Sequence, residues 1–188
     1  MTILDRFAIY FTIMSDQTQH LLWRLTEGGE LPASLHPDVV VLLIGTNNIA
    51  HAAVEDIAHG IQNIANVIHQ HSHSSTLLVN EIFPRYDDQV VKTNTVVNVR
   101  KLNDILKGIF VSDNGDSASS SLRYLQCGSL FDPTSSQRAR NPNITVDKDL
   151  MPDLLHPNAV GMQKWLTECI IPAALDVKLL KDALLRSP

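Results

Sequence analysis

Continuous apolar runs alternate along this chain with longer segments in which apolar residues recur every three or four positions. Asp38–Gly45 reads DVVVLLIG, is rich in β-branched residues and ends in glycine. A run of this kind is typical of a strand buried on both faces of a parallel sheet. Thr76–Phe83 has the same character, and Leu122–Asp132 and Phe7–Ile13 are also apolar. The pattern therefore predicts four strands.

The segments between these runs have the period of amphipathic helices. After the Asp38–Gly45 run, apolar residues step by three and four to form one stripe: Val54, Ile57, Ile61, Ile64 and Ile68. Val96–Phe110 repeats the pattern, and a last helix is predicted to begin near Pro157 and to be interrupted at Pro172. Alternating strands and helices favour right-handed crossovers, so we predict an α/β fold with helices on both faces of a parallel sheet.

Composition narrows the class of protein. The chain has 188 residues, of which 44% are hydrophobic and 19% charged, which suits a single domain over residues 1–188. A formal net charge of -5 and the lack of a basic run argue against a nucleic-acid partner. No segment predicts a membrane span, and Asp5 and Arg6 interrupt the apolar N-terminus in a way that signal peptides do not show. Compartment stays open.

Cysteine and histidine content suggests neither a disulfide framework nor a metal site. Cys127 and Cys169 have no spacing that indicates pairing, so we predict free buried thiols. His69–Ser75 reads HQHSHSS and lies at the end of a predicted helix, where imidazoles meet the negative end of the helix dipole. We interpret it as a solvated helix end, and no metal is predicted.

The loop before the last helix contains a carboxylate and an imidazole three residues apart. Pro152 and Pro157 make it unfavourable for Asp153 and His156 to lie within a helix, so both are predicted in a loop at a strand-to-helix junction. A carboxylate placed there can hold an imidazole in one tautomer while the second ring nitrogen faces a substrate. On spacing alone, a solvated loop with a local hydrogen bond is the favoured alternative.

Three further polar segments follow predicted strands. Asn47 comes after a strand-closing Gly-Thr, and on its own it fits a structural role, as a turn former or helix cap, as well as a functional one. Asp16 is predicted to cap the helix that carries Trp23, and Trp23 is predicted to be a core residue. The long polar segment Phe131–Asp153 can be a functional loop over a site or a disordered one.

In combination these segments resemble the SGNH (GDSL-type) hydrolases, and within them the catalytic alpha subunits of intracellular platelet-activating-factor acetylhydrolase. The resemblance rests on SDQTQHLLWRL from Ser15, GTNN from Gly45, FPR from Phe83, and Asp153 with His156. It covers the chain from about Ser15 to Trp165. It implies a three-layer α/β/α, flavodoxin-like fold and serine esterase chemistry without a cofactor, on a small-molecule ester such as a lipid or an acetylated sugar.

The resemblance also implies roles for particular residues. His156 matches the general base, and Asp153 the residue that orients it. Asn47 matches the asparagine whose side-chain amide donates to the oxyanion. Ser15 stands where the family has a glycine whose backbone N–H is a second oxyanion donor. Because serine adopts a positive φ less readily than glycine, we expect the oxyanion hole to depart from the family pattern here.

The nucleophile that names the family is expected to be missing. Its Gly-Asp-Ser block lies a full strand-helix unit ahead of the glycine that Ser15 replaces, and only fourteen residues precede Ser15. A crossover alone needs about 10 to 12 residues. We therefore predict an N-terminally truncated domain that lacks its first strand-helix unit and has no nucleophile.

The missing nucleophile affects how a second Gly-Asp-Ser stretch, the N-terminal apolar run and the function are interpreted. Gly115–Ser117 also reads Gly-Asp-Ser but follows a predicted helix, so we interpret it as a flexible loop. Phe7–Ile13 is expected to move into the vacant strand position beside Val39–Ile44 or to stay poorly paired. Two functions remain open: a serine esterase that is nearly inert in this form, or a catalytically dead SGNH-fold interaction module. A homo-oligomer is compatible with either.

Overall fold

A computed structural model describes residues 13–86, 94–111, 121–140 and 145–184. Within these residues three parallel strands form a sheet in the order β1-β2-β3, with β1 at Val39–Leu42, β2 at Thr76–Asn80 and β3 at Leu122–Leu125. Val39 pairs with Thr76, and Leu77 pairs with Leu122. The parallel sheet predicted from the apolar runs is confirmed. β3 is shorter than predicted, because a 3-10 turn at Gly128–Phe131 follows it.

The helices of the described residues follow the predicted order, with one addition: a short helix at Ser135–Arg140 lies in the segment that was predicted to be a loop. They are α1 (Thr18–Thr26), α2 (Val54–His71), α3 (Thr95–Phe110), α4 (Ser135–Arg140), α5 (Ala159–Trp165) and α6 (Ile171–Leu184). A π-helical segment, Leu166–Ile170, joins α5 to α6 and ends two residues before Pro172. The interruption predicted near Pro172 is therefore present, since proline lacks the N–H that a regular helix needs at that position.

One face of the sheet is covered by α1, α2 and α3. The apolar stripe predicted for α2 is buried in full, with Ile57, Ile61 and Ile64 at 1% exposure or less. These side chains pack in one cluster with Leu77 and Val79 of β2. Burying this stripe removes several large apolar side chains from water, each worth about 1.5 to 3 kcal/mol. The sheet is therefore anchored on this face mainly by α2.

The opposite face is covered by the C-terminal helices. Trp165 of α5 donates from its indole Nε1 to Asn80 Oδ1 over 3.0 Å. Successive residues of a strand point to opposite faces, and Val79 packs in the cluster of α2. Asn80 and α5 thus lie on the other side of β2. The three-layer α/β/α arrangement predicted from the sequence is confirmed.

Both cysteines differ from the prediction. Cys127, just after β3, and Cys169, in the π-helical segment, form a disulfide with a Cα–Cα distance of 6.0 Å. They are 42 positions apart in the sequence. The prediction of free thiols was wrong because spacing along the chain does not report that the two segments pack together. The disulfide attaches the loop after β3 to the helical layer above it.

Two predictions for the N-terminal helix were also wrong. Trp23 is 60% exposed, because α1 turns Leu21 and Leu25 toward the core instead. Asp16 does not cap α1: the N-cap is Gln17, whose backbone N–H donates to His20 Nδ1 over 3.2 Å. Asp16 is buried and forms an ion pair with Arg24.

Several sequence predictions fall outside the described residues. These are the strand Phe7–Ile13, of which only Ile13 is described, and the Gly115–Ser117 loop. The long segment before Asp153 is described in part: it contains α4, and Val146 and Met151 are fully buried. In the part of the chain that the structure describes, no helix combines the length and apolarity needed to cross a bilayer.

Candidate active site

The loop between Met151 and α5 holds Asp153 and His156 in direct contact. His156 Nδ1 lies 2.6 Å from Asp153 Oδ2. The backbone N–H groups of Leu155 and His156 donate to Asp153 Oδ1 over 3.0 and 2.7 Å. The loop placement predicted from the flanking prolines is confirmed, with α5 beginning two residues after Pro157. The carboxylate therefore orders both the backbone of the loop and the imidazole.

Leu154 holds this loop in place through its backbone hydrogen bonds and its buried side chain. Its φ is 65°, a left-handed conformation that a non-glycine residue adopts at a cost of about 1 to 3 kcal/mol. Its backbone N–H donates to Met151 O over 2.9 Å, and its carbonyl accepts from Tyr86 N–H over 3.1 Å. The side chain is only 9% exposed and packs with Met151 in a hydrophobic cluster separate from that of α2. Burial and hydrogen bonds together hold the strained turn that places Asp153 beside His156.

Hydrogen bonds within the loop keep Asp153 ionised. The backbone hydrogen bond from His156 is the main reason that the pKa of Asp153 falls to about 2, and the hydrogen bonds from the imidazole and from Leu155 N–H lower it further. An ionised carboxylate next to Nδ1 favours the tautomer with its proton on that nitrogen. Nε2 is then the acceptor. Since 73% of the His156 side chain is exposed, a reacting hydroxyl could approach it.

A second group of polar residues lies at the carboxyl end of β1. Gly45 has a φ of 115° and opens the 3-10 turn Thr46–Asn48. Asn47 Nδ2 donates to Asp16 O over 2.9 Å, and Gln17 Nε2 donates to Asn47 O over 3.1 Å. The turn after β1 is thereby joined to the segment that precedes α1, and the Asn47 amide contacts the residue that follows Ser15.

Ser15 has a φ of 66°. The serine therefore adopts the left-handed conformation that we expected it to resist. A conformation of this kind costs an L-residue about 1 to 2 kcal/mol, which the surrounding structure has to offset. The backbone shape that a glycine would supply at this position is therefore present.

An ion-pair network supports this conformation. Arg24 of α1 pairs with both Asp16 and Glu30. The hydrogen bond to Glu30 is the main contribution that raises the pKa of Arg24. Asp16 and Arg24 are each 8% exposed, so the pair is largely shielded from solvent. The ion pair holds Asp16 in place, and the backbone carbonyl of Asp16 accepts the hydrogen bond from Asn47 Nδ2.

Two cavities lie near this end of the sheet. The smaller, of about 160 Å³, is lined by residues that include Asp16, Thr46 and Asn47. The larger, of about 380 Å³, lies between α1 and α2 and is lined by neither Ser15 nor Asn47. Of the two candidate oxyanion donors, Asn47 lines the smaller cavity and Ser15 lines neither. Within the described residues, no group of three or more His, Cys, Asp or Glu side chains could hold a metal ion.

Arg85, the last residue of the FPR stretch, has no role predicted from the sequence. Arg85 is 9% exposed and contacts Thr46, and the next residue, Tyr86, contacts Leu154. The dipeptide Arg85–Tyr86 therefore contacts both the turn that holds Asn47 and the loop that holds Asp153 and His156. The only sequence signal for this residue is an arginine directly after a buried strand end.

No family model matches the chain. Solved structures share its fold. A GDSL-like lipase from Bacteroides thetaiotaomicron superposes with a TM-score of 0.60 at 14% identity, over 90% of this chain and 73% of the lipase. An acetyl esterase superposes with a TM-score of 0.56 at 18% identity, over 90% of this chain and 70% of the esterase. The fold is that of the SGNH (GDSL-type) hydrolases.

Sequence relatives point to one branch of that class. The human platelet-activating factor acetylhydrolase IB subunit alpha1 is 40% identical over 78 residues, which are 42% of this chain and 32% of the human protein. The subunit beta homologue of Drosophila melanogaster is 31% identical over 105 residues, 55% of this chain and 45% of that protein. The chain thus spans less than half the length of these curated relatives. Over these segments it resembles the subunits of this acetylhydrolase.

Proposed function

We propose that this chain carries the base and oxyanion half of an SGNH-type serine esterase. The observation that carries the proposal is the Asp153–His156 pair, joined over 2.6 Å in an exposed loop ahead of α5. The Asn47 turn at the carboxyl end of β1 supplies the complementary group. In open α/β sheets ligands bind beyond the carboxyl ends of the strands, which is where Asn47 lies.

Each residue has a role in this chemistry. His156 Nε2 takes the proton of an attacking serine hydroxyl and later gives it to the leaving alcohol, and Asp153 stabilises the imidazolium formed in between. The same base then activates water to release the acyl group. Asn47 Nδ2 and the backbone N–H of Ser15 donate to the oxyanion. One preorganised donor of this kind lowers the barrier by about 3 kcal/mol.

We propose that the 188 residues alone are nearly inert as an esterase. No Gly-Asp-Ser stands ahead of Ser15 in this sequence. In a serine protease whose catalytic residues were removed one by one, loss of the nucleophile lowers kcat by about six orders of magnitude. A second candidate function is an SGNH-fold interaction module without catalysis.

The substrate class follows from resemblance alone. The similar proteins are named as an acetyl esterase, a GDSL-like lipase and a platelet-activating factor acetylhydrolase subunit. We propose a small carboxylic ester with a short acyl group, on either a lipid or an acetylated sugar.

A fluorophosphonate probe tests the proposal. We expect the 188-residue chain to show no stoichiometric labelling. Labelling of Ser15 or Ser117 would contradict the assigned roles. The coding DNA upstream of Met1 decides between the two functions: an in-frame Gly-Asp-Ser after an apolar run favours the esterase, and its absence favours the interaction module.

If the longer chain exists, it allows a quantitative test. His156→Ala should then lower ester hydrolysis at least 10³-fold, and Asn47→Ala about 10² to 10³-fold. His59→Ala is the matched control, because His59 is an exposed residue of α2. It should leave the rate unchanged.

A further inference from the structure

We propose that Arg85 is a positioning residue that fixes the Asn47 turn relative to the Asp153–His156 loop. The inference rests on the proposed function, since it concerns how the base and the oxyanion donor keep their separation. It assigns a role to a buried side chain that takes no part in the proposed proton transfers.

The side chain of Arg85 is attached to the Asn47 turn. Its Nη1 donates to Thr46 O over 2.7 Å and lies 3.1 Å from Thr46 Oγ1. Thr46 directly precedes Asn47 in the turn. A cationic donor on a backbone carbonyl makes a stronger hydrogen bond than a neutral one. Arg85 therefore restrains the peptide from which the Asn47 amide projects.

The backbone of the same segment is attached to the second loop. Tyr86 N–H donates to Leu154 O over 3.1 Å, and Leu154 is the residue of positive φ between Asp153 and His156. Thr145 Oγ1 donates to Arg85 O over 3.4 Å, which adds a contact with the chain leading into that loop. One dipeptide thus contacts both halves of the site, through its side chain on one side and its backbone on the other.

Burial makes this connection rigid. Arg85 is only 9% exposed, and burying a guanidinium is unfavourable unless hydrogen bonds satisfy it. The flexible side chain is consequently held in one geometry. Rigidity of this kind matters in catalysis, because a displacement of about 1 Å in a reacting group can cost about 10²-fold in rate.

The test uses NMR of the 188-residue chain, so it requires no turnover. In Arg85→Met, which keeps most of the side-chain volume but no donor, we expect the Asn47 side-chain amide and the His156 ring resonances both to shift. Hydrogen exchange at the Asn48 and Leu154 amides should accelerate at least tenfold. Arg85→Lys should restore part of both effects, since an ammonium group can still donate to Thr46 O.

Arg123→Met is the matched control. Arg123 pairs with Asp176 over 2.6 Å on another part of the sheet, so its loss should leave the Asn47 and His156 signals in place. If Arg85→Met fails to fold, Thr46→Val removes one acceptor and should shift the Asn47 amide by a smaller amount. The proposal is overturned if Arg85→Met moves only one of the two groups, if Arg123→Met moves both, or if Thr46→Val leaves the Asn47 amide unchanged. Failure of the proposed function would show separately, in the labelling experiment.

Discussion

Asp153 is held ionised mainly by the backbone of its own loop. Because its pKa in the folded chain falls to about 2, below the ordinary value of 3.8, the ionised carboxylate stabilises the loop above pH 3.8. This contribution is lost as the pH falls from 3.8 through about 2. We expect a carboxyl-carbon NMR titration of Asp153 to give a midpoint near 2. A midpoint at 3.8 would contradict the geometry of the loop.

The variant His156→Ala separates the causes of this shift. It removes the imidazole but keeps the backbone N–H groups of residues 155 and 156, one of which makes the largest contribution. The pKa of Asp153 should therefore rise only partly toward its ordinary value. Full return to that value would show that the imidazole, and not the backbone, holds the carboxylate.

Ser15 is a candidate oxyanion donor, and its backbone conformation is unfavourable for an L-residue. Because its φ is 66°, Ser15→Gly should keep or slightly raise the free energy of unfolding, whereas Ser15→Val should lower it by about 1 to 2 kcal/mol. Urea unfolding measures both. The control is Ser34→Gly, at an exposed residue without positive φ, where glycine should lower the stability by about 0.4 to 1 kcal/mol.

At the scale of elements, the disulfide connects the loop after β3 to the segment between α5 and α6. α5 begins three residues after His156, so the disulfide helps to hold the helix behind the candidate base. For a closed loop of 42 positions, the chain-entropy model gives a stabilisation of about 4 kcal/mol. We expect a reductant to lower the free energy of unfolding by roughly this amount.

A double variant provides the check on that prediction. Cys127→Ala with Cys169→Ala should match the reduced chain in urea unfolding and should not respond to reductant. If the double variant were as stable as the oxidised chain, the disulfide would contribute nothing to the fold.

At the scale of the whole molecule, Trp165 and Asn80 join the helical layer of α5 to the sheet. Both are buried, with Trp165 at 8% and Asn80 at 2% exposure. Trp165→Phe removes the indole donor and leaves the amide oxygen of Asn80 without it, which should cost about 1 to 3 kcal/mol of stability. Trp23→Phe changes an exposed side chain and should cost under about 0.5 kcal/mol.

Fluorescence tests the same arrangement, because the chain has two tryptophans. Emission from Trp23→Phe should be blue-shifted and resist acrylamide quenching, since only the buried Trp165 remains. Emission from Trp165→Phe should be red-shifted and easily quenched. The reverse result would mean that the helical layers are placed differently.

Local patterns were sufficient for most of the elements, though not for α4, and for one half of the candidate site. The apolar period of α2 and the β-branched run of β1 report burial directly, since each depends on neighbours within a few residues. The Asp153–His156 contact is also local, because the two residues are three positions apart and flanked by prolines. Its geometry therefore follows from a short stretch of sequence.

Contacts between distant segments had to come from the tertiary structure. The Cys127–Cys169 disulfide, the Trp165–Asn80 hydrogen bond and the link from Arg85 to Thr46 depend on how separate elements pack. The exposure of Trp23 depends on which side of α1 meets its neighbour. Periodicity indicates that a residue is buried or exposed but not which partner it meets, and partners are set only when loops bring elements together.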